Sequence, residues 1–482
     1  MQPAGAAAAT VAATITAGDM SARIAFLASD ALRGRDTPSQ GLDAAAAYIA
    51  SEFKRLGLEP HGDSSSYLQR YPFTIRTLHG DSTRLTVTTR NETGSYRFGT
   101  DLFAWAGASS RTKGDLVFVG TTMPHTANSM RGRIPMIYVG GALDRAWRTA
   151  VFNARNAARD AGAEALVVVL DPAITAADIG ERARLFSTTI AVAPVASAVF
   201  LRYDRARAVL RQAGHNLDDL ITRAGPPVTL SQSTAQLTVP VIEVVHRPPN
   251  VVGMLPGSDP ALRDSYVVLS AHMDHVGVGR PDARGDSIYN GADDDASGTS
   301  AVLEVAEAFA SMAARPARSI IFLTVSGEEK GLLGSQYFAD HPTVPIRSIV
   351  ANINMDMIAR NAPDTIVALG QEYSSLGPLA QEVVRGHPEL GLTVARDIWP
   401  QERFFFRSDH YNFVRKEVPA IFFFAGVHDD YHRPSDEVAK IDADKAARVA
   451  RLTYYLAHEI ANRREPPAWT AAGLREVRAM MR

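Results

Sequence analysis

The chain has 482 residues, of which 46% are hydrophobic and 21% are charged, a globular composition long enough for about two to four domains. Fifty Lys and Arg residues stand against 52 Asp and Glu residues, and this balance argues against a nucleic-acid-binding protein or one drawn to anionic membranes. The absence of cysteine excludes disulfide scaffolds, iron–sulfur clusters and thiol nucleophiles, so any metal must be held by His, Asp and Glu.

The N-terminal segment, residues 1–18, is small and rich in Ala and Thr. It lacks the basic region and the strongly apolar region of a signal peptide, and we interpret it as a flexible N-terminus left after a signal was removed. This interpretation predicts a secreted or periplasmic bacterial protein, although a cytosolic origin stays open. No apolar run reaches the length of about 18 residues that a membrane span needs.

The next elements are helices and then short strands. Residues 19–60 show helical periodicity on both sides of the segment GRDTPSQG, and residues 67–103 alternate in the manner of strands. Residues 104–245 contain the apolar runs DLVFVG, IPMIYVG and ALVVVL, with a helical stretch between the last two. We therefore predict that residues 19–103 begin the main domain and that residues 104–245 form a smaller α/β module.

The remaining chain alternates strand and helix over residues 246–465, followed by a C-terminal tail over residues 466–482. YVVLSAHMD, SIIFLTVSG, SIVANINMD and AIFFFAG are continuous apolar runs, which are typical of strands covered on both faces. The pattern predicts an α/β fold with a doubly wound, mostly parallel sheet and helices on both faces.

Polar side chains cluster where these strands end. His272 and Asp274 follow the first strand, the segment GADDDASG precedes a helix, and Glu328 and Glu329 follow another strand. Asp356 ends a further strand, and His432 lies in the loop segment DDYHRPSDE beside Tyr431. Each piece alone is compatible with solvated surface charge.

The set is more informative than its members, because ligands bind outside the carboxyl ends of strands in such sheets. Two histidines and three carboxylates, with one glutamate to spare, suit two borderline divalent cations, and zinc fits these ligand types. Three carboxylates against two divalent ions leave a surplus of positive charge that favours a bound hydroxide.

The motifs H-x-D, G-A-D-D-D-A-S-G, S-G-E-E-x-G-L-x-G-S, N-x-x-M-D-M and Y-H-x-x-x-D occur in this order. Together they resemble the co-catalytic di-zinc exopeptidases of clan MH, in the secreted bacterial leucyl aminopeptidase family that also includes glutamate carboxypeptidase. The likeness covers roughly residues 251–461. Residues 104–245 are similar to a protease-associated (PA) domain, which would be inserted into a discontinuous catalytic domain.

The resemblance implies two Zn²⁺ ions per chain and five protein ligands. These ligands are His272, Asp294, Glu329, Asp356 and His432. Asp294 would bridge the metals, with a cis peptide bond to Asp295. His272 and Asp356 would complete one site, and Glu329 and His432 would complete the other.

The resemblance also implies roles in catalysis for residues around the metals. Glu328 would be the general base for a metal-activated hydroxide, and Tyr431 would donate a hydrogen bond to the oxyanion. Asp274 would orient His272, and Asp436 would play a similar part near His432.

The side-chain pocket is the least determined part of the predicted site. Met357 and Phe406, within the run Phe404–Phe406, are candidates for an apolar wall, although plain core packing explains them equally well. Arg407 resembles a substrate-contacting arginine of some family members, with a structural ion pair as the alternative. His275, His410 and His428 have no ligand role in the family pattern, and we interpret them as supporting or surface groups.

The leading function is therefore a zinc-dependent aminopeptidase that acts on peptides. A carboxypeptidase or dipeptidase with the same site is the first alternative, and it would need a cation such as Arg407 to hold the substrate carboxylate. A glutaminyl cyclase uses a single zinc ion, which the complete ligand set argues against. Receptor-like homologues such as transferrin receptor and nicastrin have lost catalytic groups that this chain retains.

Overall fold

The structure is a computed structural model that describes residues 4–90, 92–105, 110–124, 126–190, 197–223 and 225–481. The chain forms two compact units, of which one comprises Met1–Pro72 with Arg247–Arg482 and the other Phe73–His246. The second unit is therefore inserted into the first. Its boundary lies before the predicted residue 104, because the strands of residues 73–103 pair with strands that come later within the same unit.

The first unit begins with three helices and two short strands. They are α1 (Ala4–Ala12), α2 (Ala17–Leu27), α3 (Gln40–Arg55), β1 (Glu59–Pro60) and β2 (Leu68–Arg70). Thr16 and Ser39 cap the second and third helices by accepting hydrogen bonds from backbone amides. Ala12 and Ile15 are buried in the main core, so the structure contradicts the expected flexible N-terminus over this part of the segment.

The second unit contains eleven strands and four helices among the described residues. They are β3 (Phe73–Leu78), β4 (Arg84–Thr88), β5 (Thr93–Arg97), β6 (Leu102–Trp105), β7 (Ser110–Gly120), β8 (Arg133–Tyr138), α4 (Arg145–Asp160), β9 (Ala165–Val169), α5 (Ala176–Leu185), β10 (Thr188–Ile190), β11 (Ser197–Leu201), α6 (Tyr203–Gln212), α7 (Leu217–Thr222), β12 (Val228–Val239) and β13 (Val241–His246). One sheet has the order β5-β4-β12-β7-β8-β9-β11-β6, and a smaller one has the order β10-β3-β13. Residues 104–245, predicted to form a smaller α/β module, lie within this unit, and their likeness to a PA domain stays a prediction.

The first unit resumes with the strands and helices of the main sheet. They are β14 (Pro249–Leu255), β15 (Tyr266–His272), β16 (Gly277–Val278), β17 (Ile288–Tyr289), α8 (Gly298–Ala310), β18 (Ser319–Val325), α9 (Leu333–Asp340), β19 (Ile349–Met355), β20 (Thr365–Leu369), α10 (Leu376–Gly386), β21 (Thr393–Ala395), α11 (His410–Val414), β22 (Ala420–Phe424), α12 (Ala443–Asn462) and α13 (Ala471–Met480). The predicted tail thus contains a helix, and its Val477 packs into an apolar cluster with Tyr373 and Phe405.

The main sheet has the strand order β1-β14-β18-β15-β19-β22-β20-β21. Its central strands β18, β15, β19 and β22 are parallel, whereas β14 is antiparallel to β18, and β20 is antiparallel to β22 but parallel to β21. Alternate residues of β15 enter different cores: Leu269 belongs to the cluster that includes residues of α2, α3, α8 and α12, while Val268 belongs to the cluster that includes Phe338 of α9 and Phe413 of α11. The predicted mostly parallel sheet, covered on both faces, is confirmed.

The parallel strands bring their carboxyl ends to one edge of the sheet. His272 pairs with Val325 in register, and Ser270 pairs with Asn354, so the residues that follow these strands emerge side by side. No helix of the described residues is long and apolar enough to cross a membrane.

Candidate metal centre

The acidic segment forms a buried turn, Ala292–Ser297, that leads into α8. Asp293 accepts a 2.7 Å hydrogen bond from the Ala359 amide, and Asp295 accepts hydrogen bonds from the amides of His272 and Gly298. The two outer carboxylates are therefore held by backbone donors. The middle one, Asp294, lies between the ring nitrogens of His272 and His432, and its peptide bond to Asp295 is cis.

The carboxylate of Asp294 lies between two groups of potential ligands. Its Oδ1 is 3.3 Å from His272 Nε2, and its Oδ2 is 3.2 Å from His432 Nε2. Burial opposes ionisation of this carboxyl, but the neighbouring histidines hold its pKa well below the usual range. An ionised carboxylate with one oxygen turned to each side can connect two cations.

The remaining donors complete these two groups. His272 Nε2 is 3.5 Å from Asp356 Oδ1, and His432 Nε2 is 3.0 Å from Glu329 Oε2. One group has ligand atoms from His272, Glu328 and Asp356, the other from His275, Asp294, Glu329 and His432, and within each group these atoms lie within 4.8 Å of one another. All five predicted ligands are thus brought together.

This donor set fits two divalent cations. The buried Oδ1 of Asp356 and Oε1 of Glu329 have no hydrogen-bond partner among the described residues, and neither ring nitrogen of His275 has one. Buried polar atoms are normally satisfied, so several buried donor atoms without a hydrogen bond at one point are typical of ligands that share a cation. Imidazole and carboxylate donors suit zinc.

A buried polar chain supports Asp356 from behind. Ser408 Oγ donates to Asp356 Oδ2 at 2.8 Å and accepts a hydrogen bond from Asn354 Nδ2 at 2.9 Å. Ser270 Oγ then donates to Asn354 Oδ1 at 2.7 Å and accepts from Asn352 Nδ2 at 2.8 Å. The chain fixes the orientation of one ligand through residues of two paired parallel strands. Its members were not identified from the sequence.

Asp274 contributes to the centre in a different way from the one expected. The nearest contact of His272 Nδ1 is the backbone oxygen of Asp274 at 3.1 Å, whereas the Asp274 carboxylate is 3.7 Å away. That carboxylate accepts a 2.9 Å hydrogen bond from Thr37 Oγ1 and a 3.3 Å hydrogen bond from the Glu328 amide. It therefore connects the loop of the predicted base to the N-terminal segment GRDTP.

Asp436 also differs from its expected role. Its carboxylate accepts hydrogen bonds from the amides of Asp293 and Asp294 at 3.1–3.2 Å, so it supports the acidic turn rather than the His432 ring. The Y-H-x-x-x-D spacing places Asp436 in the loop of His432, but the loop folds back and directs this side chain to the neighbouring turn. Burial and Asp293 raise the pKa of Asp436 to about 6.

The buried guanidinium of Arg35 joins the two ligand-bearing loops. It donates to the backbone oxygens of Met273, Asn290 and Gly291 at 2.8–3.0 Å and to that of Leu27. The segment GRDTP, which the sequence marks only as a break between helices, thus supplies two groups that hold the centre, Arg35 and Thr37.

The predicted catalytic residues line the same cleft. Burial, together with Glu329, Asp409 and Asp356, raises the pKa of Glu328 well above its ordinary value, although His272 opposes this shift. Burial and the adjacent carboxylates likewise raise the pKa of Tyr431, so its phenol stays protonated and can donate a hydrogen bond. The Tyr431 ring stacks on His432 with centroids 3.9 Å apart.

An apolar pocket opens beside the donors. Its lining combines the polar residues His272, Asp294, Glu328, Asp356, Arg407 and Tyr431 with the apolar residues Met357, Phe404, Phe422, Phe424 and Val427. Phe404 occupies the place expected for Phe406, which contacts Tyr411 instead. The three phenylalanines form a 3₁₀ turn, in which successive side chains point in different directions.

Arg407 is 45% exposed at the pocket mouth, with its guanidinium 4.8 Å from the Phe404 ring centroid and 3.9 Å from Glu402. His410 is buried between the rings of Phe405 and Phe422, and His428 Nε2 is 3.3 Å from Asp293 Oδ2. His275 lies among the metal donors. The only feature of the sequence that indicates this location for His275 is its position directly after Asp274.

Known proteins share both the sequence pattern and the fold. Residues 250–457 match the family described as Peptidase family M28. A probable leucine aminopeptidase of Arthroderma otae is 27% identical over 228 residues, which cover 46% of this chain and 60% of that protein. A probable zinc metalloprotease of Pyricularia oryzae is 27% identical over 256 residues, covering 44% of this chain and 50% of its own. The chain spans about half the length of these curated relatives.

Solved structures agree over a larger part of the chain. An aminopeptidase from Aneurinibacillus sp. strain AM-1 has a TM-score of 0.56 and 21% identity, with coverage of 95% of this chain and 96% of its own. A zinc aminopeptidase from Bacillus subtilis has a TM-score of 0.50 and 18% identity, with coverage of 94% and 96%. At these identities the likeness establishes the fold, and residues 250–457 of the chain are similar to Peptidase family M28.

Proposed function

We propose that the protein is a zinc-dependent aminopeptidase with two Zn²⁺ ions per chain. The observation that carries this proposal is the pair of ligand groups connected by Asp294 beside Glu328. His272, Asp294 and Asp356 would hold one ion, and Asp294, Glu329 and His432 would hold the other. Relatives described as leucine aminopeptidases and zinc metalloproteases support the same assignment.

Zinc supplies Lewis acidity at such a site, which activates water and polarises a carbonyl group. The chain's own residues would do the rest. Glu328 would accept a proton from the nucleophilic water and return it to the leaving amine, a role that suits a carboxyl whose pKa is raised. The protonated phenol of Tyr431 would donate a hydrogen bond to the carbonyl oxygen as negative charge develops there.

The pocket offers little to hold the carboxylate that a carboxypeptidase must bind. Arg407 is its only Lys or Arg among the described residues, and this side chain is 45% exposed. Glu328, the one lining carboxylate that is not a proposed metal ligand, would attract the ammonium of a peptide N-terminus and repel a C-terminal carboxylate. The Met357 and Phe404 side chains would bind the side chain of the N-terminal residue.

The test is hydrolysis of a leucine-initiated peptide and of its N-acetylated form, with and without a chelator. We expect only the free-amine peptide to be cleaved, loss of cleavage with the chelator, and recovery with added zinc. Glu328→Gln should lower kcat by about 10²–10⁴-fold while the zinc content is unchanged. Trimming of the acetylated peptide from its C-terminus would favour the carboxypeptidase. The predicted secreted or periplasmic location stays a proposal from the sequence.

A further inference from the structure

His275 is a fully buried histidine inside the candidate metal centre. Its Nδ1 is 2.8 Å from Glu329 Oε1 and 3.7 Å from Asp294 Oδ2. Neither of its ring nitrogens has a hydrogen-bond partner among the residues that the structure describes, and neither has Glu329 Oε1. The ring therefore lies beside two carboxylates, but it forms no hydrogen bond with either of them.

That arrangement is typical of two ligands of one cation. A nitrogen and an oxygen 2.8 Å apart would form a hydrogen bond if the N–H pointed at the oxygen, and here it does not. The lone pairs of the nitrogen and the oxygen can instead point to one shared zinc ion, which lies about 2.0–2.2 Å from imidazole nitrogen and carboxylate oxygen alike. Donor atoms of His275, Asp294, Glu329 and His432 all lie within 4.8 Å of one another.

The backbone holds the ring in this position. A Cβ atom at Gly291 would lie 2.6 Å from Cγ and Cδ2 of His275, so the ring packs directly on a glycine at φ 61°. The His275 and His432 rings also meet edge to face, with centroids 5.6 Å apart. These two contacts limit how far the imidazole can turn away from Glu329.

We propose that His275 is a fourth protein ligand of the cation held by Asp294, Glu329 and His432. The inference rests on the two-metal site of the proposed function and adds an asymmetry to it. Four protein ligands close a tetrahedral zinc shell, whereas His272, Asp294 and Asp356 leave one position of the other shell open. The first zinc ion therefore binds at the His275 position, and the second binds more weakly at the His272 position.

Zinc titration of the metal-free full-length protein against a chromophoric chelator tests the proposal. The wild type should bind two ions with separable affinities. His275→Ala should weaken binding of the first, more tightly held zinc ion by more than about 100-fold. That is the largest loss expected when a residue that only hydrogen-bonds to a ligand is removed. His275→Asn should weaken it equally, because an amide can donate a hydrogen bond to Glu329 but is a poor zinc ligand. The matched control is His410→Asn, which removes a buried imidazole outside the centre and should leave both affinities unchanged.

X-ray absorption of the wild type with one equivalent of zinc gives an independent measurement that needs no variant. Two imidazoles per zinc are expected, and one imidazole would overturn the proposal. Wild-type affinity in His275→Asn would also overturn it, because the ring would then act only as a hydrogen-bond donor. Failure of the wild type to bind two zinc ions would instead refute the proposed function, whereas two bound ions with an unaffected His275→Ala would refute this inference alone.

Discussion

Ser408→Ala removes the hydroxyl that holds Asp356, and its cost can be worked from two contacts. The Ser408 hydroxyl donates to a carboxylate at 2.8 Å, and a hydrogen bond to a charged group contributes about 1.5–3 kcal/mol. It also accepts from the Asn354 amide at 2.9 Å, which contributes about 0.5–1.5 kcal/mol. Both partners are buried and cannot turn to water. We expect the free energy of unfolding to fall by about 2–4 kcal/mol.

The matched control is Ser300→Ala on α8. Ser300 is equally buried, but its Oγ has no hydrogen-bond partner among the described residues. Its replacement should leave the free energy of unfolding unchanged or slightly higher, since alanine favours helices. Urea unfolding in excess chelator measures both variants, and a zinc titration should show about 10–100-fold weaker binding for Ser408→Ala only. Equal losses in the two variants would refute the role of this polar chain.

Four further outcomes are expected. Thr37→Val removes the hydroxyl donor to Asp274 and should weaken zinc binding about ten-fold or more in a chelator titration, whereas Thr37→Ser keeps the donor and should not. An N-terminal leucine buries about three more carbon atoms than alanine, so kcat/KM should favour leucine by roughly 60-fold, and Phe404→Ala should reduce this ratio; an unchanged ratio would place the side chain elsewhere. Because the pKa of Glu328 is raised and a base must be ionised, kcat/KM should decline toward acid at a pH above the ordinary glutamate value of 4.5, and a profile flat down to that pH would contradict the assignment. Burial lowers the pKa of Lys445 from 10.5 to about 8, so the unfolded chain binds the extra proton between these values; the free energy of unfolding should rise with pH across this window, and urea titrations of Lys445→Met should lack that rise.

The sequence was sufficient for those features that depend on strand ends. Continuous apolar runs predict buried parallel strands, and parallel strands bring their carboxyl ends together. His272, Glu329 and Asp356 follow such strands and meet at one edge, as the structure has them. The ordered motifs then supply Asp294 and His432, whose loops have no periodicity of their own.

The features that could not be predicted depend on the direction of side chains outside regular elements. A 3₁₀ turn decides that Phe404 rather than Phe406 faces the pocket. A folded-back loop directs Asp436 to the acidic turn. The unit boundary at Phe73 depends on strand pairing across more than a hundred residues, which no local pattern encodes.

The buried Arg35 has a consequence for how the chain acquires its structure. Its hydrogen bond to Met273 joins residues 238 positions apart, and the whole inserted unit lies between them. Contacts of such sequence separation form late, since the entropy of closing the loop must be overcome first. The two ligand-bearing loops therefore reach their final positions only after the N-terminal segment has docked. A fragment limited to residues 250–457 lacks the Arg35 guanidinium that joins these loops.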